Sequence, residues 1–187
     1  NMGKSITYGD LERLSRDFAG YLLGELKLKK GDRVAIMMPN CLQYPIAILG
    51  VLRAGLTVVN TNPMYTAREL KHQLVDSGAS VLVVMDNFGN VAQDVLAQVP
   101  GVRAVTTGLG DMLGFPKGLI VNLVLKHVKK MVPDYDIPGA VRFRDTLTLG
   151  ICNGCQIISN LGLIPPKGAK FGERLVALTY NLTARYQ

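Results

Sequence analysis

The sequence predicts an α/β fold, three-layered, with a mostly parallel sheet over about residues 30–107. Three observations lead there. Short apolar runs and longer segments of helical period alternate as β, α, β, α, β, α, β. The connections between them are short, and Gly, Pro, Asn or Asp marks nearly every boundary. No stretch repeats at the period of roughly 20–50 residues that a solenoid needs. Such an alternation buries both faces of a parallel sheet under helices, with right-handed crossovers.

Each element has a local reason. Thr7 is placed to cap a helix on which Leu11, Leu14, Phe18, Tyr21 and Leu22 recur at helical spacing, ending near Gly24. Lys29 to Asp32 is a turn. Val34 to Met38 is a short buried strand closed by Pro39-Asn40. Tyr44 to Ala54 is apolar on nearly all sides and reads as a buried helix stopped by Gly55. Thr57 to Asn60 is a strand, broken by Asn62-Pro63. Thr66 caps a helix over Ala67 to Asp76, and Glu69 completes a capping box. Ser77-Gly78 ends it. Val81 to Met85 is a strand, Asn90 to Gln98 a helix and Ala104 to Thr106 a strand.

Composition narrows the function classes. The chain has 187 residues, 48% of them hydrophobic, which excludes a mainly disordered polyampholyte. Three Cys form no disulfide framework and no paired CxxC zinc sites, and no metal site is predicted. The formal charge of +7 has no Arg/Lys stripe interleaved with aromatics, so a nucleic-acid partner is not expected. No leader with an apolar core opens the chain, and no uncharged run reaches the ~18 residues of a membrane span. Free thiols at this frequency suit a reducing cytoplasm. A first residue of Asn1 rather than Met suggests that the front of a longer protein is missing.

In parallel sheets ligands gather at the carboxyl ends of the strands. Here those ends carry Pro39-Asn40, Asn62-Pro63-Met64-Tyr65 and Asp86-Asn87. Asn, Asp and Pro are also plain turn residues, so the alternative is turn chemistry alone. Residues 119–132 are a second feature. Ile120, Leu123, Val124, Val128 and Met131 share one helical face, while Asn122, Lys126, Lys129 and Lys130 lie away from it. A basic amphipathic helix can lie in an anionic membrane interface. The alternative is a helix packed on its own domain. Pro133 ends it in either case.

The wording of residues 31–84, GDRVAIMMPNCLQYPIAILGVLRAGLTVVNTNPMYTARELKHQLVDSGASVLVV, resembles bacterial long-chain fatty acid–CoA ligases of the adenylate-forming superfamily. The resemblance extends back through Thr7 to Leu11 and forward through HVKKMVPDY (127–135) and Phe143-Arg144-Asp145. It implies that residues 1–148 are the first Rossmann-like portion of an AMP-binding domain. It also implies ATP-dependent activation of a fatty acid to an acyl-adenylate, followed by transfer to CoA with magnesium assisting. The family's Gly-Lys-Gly phosphate loop, its adenine segment and its C-terminal Lys do not occur here. The chain is therefore expected to be inactive alone and to bind none of ATP, Mg or CoA tightly. By the same resemblance Asn62, Pro63 and Tyr65 form the loop bordering the CoA nucleotide, and Asp86 to Asn90 the loop after the next strand. The family resembles peripheral inner-membrane enzymes, which favours an interfacial role for residues 117–132. An incomplete fold with bare apolar faces could also self-associate.

From Gly150 the wording changes. Gly150-Ile151-Cys152-Asn153-Gly154 has the form of a nucleophile elbow, a tight strand-to-helix turn that projects its central residue. The longer stretch 149–187 resembles the glutaminase part of phosphoribosylformylglycinamidine synthase. That resemblance implies a strand–elbow–helix tail in which Cys152 attacks the amide of glutamine and Cys155 is a neighbour. No His follows Cys152, so no triad can be assembled, and two inert thiols are the simpler reading. Two families meeting near residue 150 suggest a chimeric join.

Overall fold

Thr7 accepts a hydrogen bond from the Asp10 amide and caps α1 (Tyr8–Gly24), as its sequence predicts. The computed structural model describes residues 3–148. After α1 the chain runs through β1 (Arg33–Met37), α2 (Gln43–Arg53), β2 (Thr57–Asn60), α3 (Ala67–Ser77) and β3 (Val81–Met85). It continues through a 3-10 turn (Asp86–Phe88), α4 (Gly89–Leu96), β4 (Arg103–Thr107), α5 (Lys117–Leu123), β5 (Val141–Arg142) and α6 (Phe143–Thr148). The capping box forms: Thr66 Oγ1 accepts from the Glu69 amide, and the Glu69 carboxylate accepts from the Thr66 amide at 2.8 Å.

The five strands pair in parallel in the order β2-β1-β3-β4-β5. Alternation along the strands sorts the core into two layers. Val34, Ile36, Val81, Val83, Met85 and Val105 face a cluster containing Phe18 and Leu22 of α1, Ile46 and Val51 of α2, and Phe143 and Leu147 of α6. Ala35, Met37, Leu82 and Val84 face Leu70 and Leu74 of α3 and Ala92 and Val95 of α4. The fold is thus an α/β three-layer arrangement. Strand order reverses between β1 and β3, since the chain adds β2 on one side of β1 and then β3 on the other. Ligands in doubly wound sheets collect at this kind of reversal, outside the carboxyl ends.

Three local expectations are corrected. Helix α4 begins at Gly89 and ends at Leu96, because a 3-10 turn carries the chain off β3. The basic helix is not one run over 119–132. It starts at Lys117, is α-helical to Leu123, and widens into a π turn over Val124–Val128. Met131 lies beyond it, following Lys130 in a left-handed conformation (φ 50°). β5 and α6 escape the sequence pattern because two residues of strand show no alternation. The tail expected from residue 149, with Cys152 and Cys155, lies outside the described residues. Among the described residues no helix is long and apolar enough to cross a membrane.

Candidate functional site at the carboxyl edge of the sheet

Two of the three expected loops stand at the reversal point. Pro39 and Asn40 follow β1 and are exposed, whereas Cys41 and Gln43 immediately after them are buried. Burial pushes the Cys41 thiol up, so it is a packed sulfur beside Met38 (3.7 Å) and not a nucleophile. Gln43 Nε2 donates to the Gly108 carbonyl at 2.8 Å and to Thr107 Oγ1 at 3.3 Å. That bond ties the start of α2 to the end of β4, across the tips of β1 and β3.

Asp86, at the tip of β3, is the centre of the polar network. Arg142 donates to it through both Nη atoms, at 2.8 and 2.9 Å, in a bidentate pair. The same guanidinium donates to Asp111 at 3.1 Å and to Thr106 Oγ1 at 3.2 Å. Tyr135 donates its hydroxyl to Asp86 at 2.7 Å. Asp111 in turn accepts from the Gly108 amide at 2.7 Å and from Asn122 Nδ2 at 2.8 Å, while Asn122 Oδ1 accepts from the Gly110 amide. Five separate segments therefore meet: the β3 tip, the β4 tip, α5, the loop at residue 135 and β5.

The electrostatics make this a clamp. Burial alone would lower the Arg142 pKa, but the Asp86 hydrogen bonds and the two carboxylates raise it instead. Burial, reinforced by the Asp86 hydrogen bond and charge, pushes the Tyr135 phenol up to about 12. Arg142 therefore stays cationic and Tyr135 stays a protonated donor at neutral pH. A cavity of about 350 Å³ opens beside them, lined by Asp86, Thr106, Lys126, Tyr135, Ile137 and Arg142 among others. The Tyr135 ring packs closely on Gly89: a Cβ there would stand 2.5 Å or less from three ring carbons. Among the described residues no group of three or more His, Cys, Asp or Glu could hold a metal ion.

The loop of Asn62, Pro63 and Tyr65 lies at the carboxyl end of β2. Asn62 Oδ1 accepts from the Met64 amide at 3.0 Å, and the Tyr65 amide donates to the Asn62 carbonyl at 3.1 Å. Tyr65 is half-buried against the α3–α4 layer, while Asn62 and Met64 are exposed. The loop leads directly into α3, beside an open depression of about 630 Å³ lined by Thr66, Arg68, Glu69 and His72. Sequence reasoning found the Asp86 and Asn62 loops from strand ends but missed Arg142, Asp111 and Gln43. The one available signal for the clamp was Tyr135, inside the HVKKMVPDY stretch.

Residues 1–134 match the AMP-binding enzyme family. The chain belongs to that family. Among the relatives of this chain, a long-chain-fatty-acid–CoA ligase of Haemophilus influenzae is 53% identical over 150 residues, 80% of this chain and 27% of that protein. Its namesake in Escherichia coli O6:H1 is 51% identical over the same length and shares. A benzoate CoA ligase from Burkholderia xenovorans LB400 superposes with a TM-score of 0.58 at 21% identity, over 78% of this chain and 23% of that one. This last likeness is one of fold. The chain spans about a quarter of the length of the curated relatives it matches.

Proposed function

We propose that this chain supplies the N-terminal part of the adenylating domain of a long-chain fatty acid–CoA ligase. The identity of 51–53% over 150 residues to ligases of that name carries the reading, since it spans every loop of the carboxyl edge from Pro39 to Arg142. In the reaction a fatty acid carboxylate oxygen attacks the α-phosphorus of ATP and pyrophosphate leaves. The CoA sulfur then attacks the acyl carbon and AMP leaves. A magnesium ion would neutralise phosphate charge. The present residues would not hold it alone, for the Asp86 and Asp111 carboxylates are already committed to Arg142.

The role left to this chain is positioning. Asn62, Pro63 and Tyr65 would border the CoA nucleotide: Asn62 holds the turn, Tyr65 braces it on α3, and the Arg68 guanidinium next to the loop suits a phosphate. The clamp would fix the β3 and β4 tips against which the rest of the ligase closes. Such an enzyme would work in the cytoplasm, where ATP and CoA are available.

The test is a transplant. Residues 1–150 replace the aligned stretch of the Escherichia coli relative, and oleate-dependent AMP formation is measured. Activity within about tenfold of the parent is expected, and a folded but inactive transplant would refute the reading. In the active transplant, Asn62→Ala or Tyr65→Ala should raise KM for CoA by about 5–30-fold, the loss of one or two interactions. KM for ATP should not move. Equal effects on both would remove the CoA assignment.

A further inference from the structure

Helix α2 is apolar apart from its ends. Gln43 and Tyr44 open it, Arg53 closes it, and every residue between is Pro, Gly or aliphatic. Gln43 is nevertheless 1% exposed. An amide buried there costs free energy unless it is bonded, and a hydrocarbon side chain would pack without that cost. Its bonds run to the Gly108 carbonyl and Thr107 Oγ1 at the β4 tip. Tyr44, about 100° further round the helix, reaches the other side. Its hydroxyl donates to Asn60 Oδ1 at 3.1 Å, on the last residue of β2.

Strand β2 is an edge of the sheet and pairs with β1 alone among the described residues. Asn60 is therefore braced from outside the ladder, its carbonyl by Gln73 Nε2 of α3 at 3.0 Å and its side chain by Tyr44. The Asn62–Tyr65 loop begins just beyond it. At the other end Gly108 is held through both of its polar groups, the carbonyl by Gln43 and the amide by Asp111, which Arg142 grips in turn. The tips of β2 and β4 are three strand spacings apart, about 14 Å at ~4.8 Å each. One helical turn with two long side chains spans that distance. Leu42 supplies no side-chain cap, and Pro45 follows in the first turn, where its missing N–H costs nothing and its fixed φ stiffens the turn. We propose that Gln43 and Tyr44 are positioning residues that hold the Asn62–Tyr65 loop, and with it the CoA nucleotide, at a fixed spacing from the β4 tip. The assignment of the loop to CoA rests on the ligase reading; the brace itself does not.

The brace is read on the full 187-residue chain. Tyr44→Phe removes one hydroxyl and should speed hydrogen exchange at the Thr61 and Tyr65 amides at least about threefold, while the Gly108 and Gly110 amides keep their rates. Gln43→Met should speed exchange at Gly108 and at Thr61 and Tyr65 together. Unchanged exchange at Thr61 and Tyr65 in both variants would overturn the proposal, whatever the chain catalyses. The CoA half is read in the active transplant of residues 1–150. Tyr44→Phe should raise KM for CoA about 3–10-fold, the loss of one hydrogen bond, with kcat and KM for ATP within about twofold of the parent. Asn60→Asp keeps the acceptor and should leave KM for CoA near the parental value, whereas Asn60→Leu should match Tyr44→Phe. Tyr44→Phe with Asn60→Leu should do no more than either change alone. Additive effects, or KM for CoA rising together with KM for ATP, would show a general loss of packing and overturn the positioning role. Faster exchange with an unmoved KM for CoA would overturn the CoA half and leave the ligase reading standing. A folded but inactive transplant would refute the ligase reading and the CoA half with it, and the exchange rates would decide the brace.

Discussion

At the scale of single residues, Arg142 does the most. It neutralises Asp86 and Asp111, whose side chains are only 14% and 12% exposed. Arg142→Met leaves both carboxylates without a cation. Removing one partner of a buried pair costs about 3–5 kcal/mol, but a 41% exposed guanidinium is screened, so about 2 kcal/mol is expected. Adding Asp86→Asn should recover about half of that, read as urea midpoints at constant slope. Tyr135 gives a pH signature. Its phenol ionises near 12 in the folded state against 10 for the unfolded chain. The unfolded state therefore loses its proton first, and stability present below pH 10 is lost as pH rises toward 12. Tyr135→Phe should flatten that alkaline limb and remove one late-titrating phenolate from the absorbance titration. A wild-type limb in the variant would count against the shift.

At the scale of elements, contacts between helices depend on where side chains are missing. Gly50 of α2 is buried under α1, and a Cβ there would stand 2.7 Å from Phe18 Cδ1 and 3.0 Å from the Ser15 carbonyl. Gly20 of α1 has nothing within 4 Å. Gly50→Ala should therefore destabilise by about 1–3 kcal/mol through overpacking, and Gly20→Ala should stabilise by about 0.5–1 kcal/mol through helix propensity. Thermal melts of the two single variants should move in opposite directions, and a shared direction would show that propensity alone governs both. The same elements show what a sequence reveals. β1, β3 and the capped ends of α1 and α3 were legible because burial on both faces and cap chemistry are local. Arg142 was not, because its partners lie 31 and 56 residues away and nothing at position 142 advertises them. The reversal of strand order at β1/β3 is likewise a property of pairing and not of any one strand. The apolar stripe of α5 was legible as periodicity, but that it faces outward was decided by Gly118 and Asn122 meeting the β4 loop.

At the scale of the whole molecule, the role proposed for the described residues is that of a positioning platform. Its fixed cation is neutralised by two carboxylates, its buried thiol is inert, and its phenol keeps its proton. The chain by itself should release no pyrophosphate from ATP in the presence of oleate and CoA above a no-protein blank. Turnover at a steady rate would mean that residues outside 3–148 complete a centre. The net charge of +7 is unevenly spread along the chain, for residues 112–133 hold four lysines and no acid.

The clamp also has a consequence in time. Asp86 leaves the ribosome 56 residues before Arg142 does. At about 5–20 residues per second this is an interval of roughly 3–11 s. During it β1 to β3 can pair while the β3 tip carries an unneutralised carboxylate. A nascent chain stalled before residue 142 should therefore hold its strands more firmly than their tips, and the rim of the sheet is the last part to set.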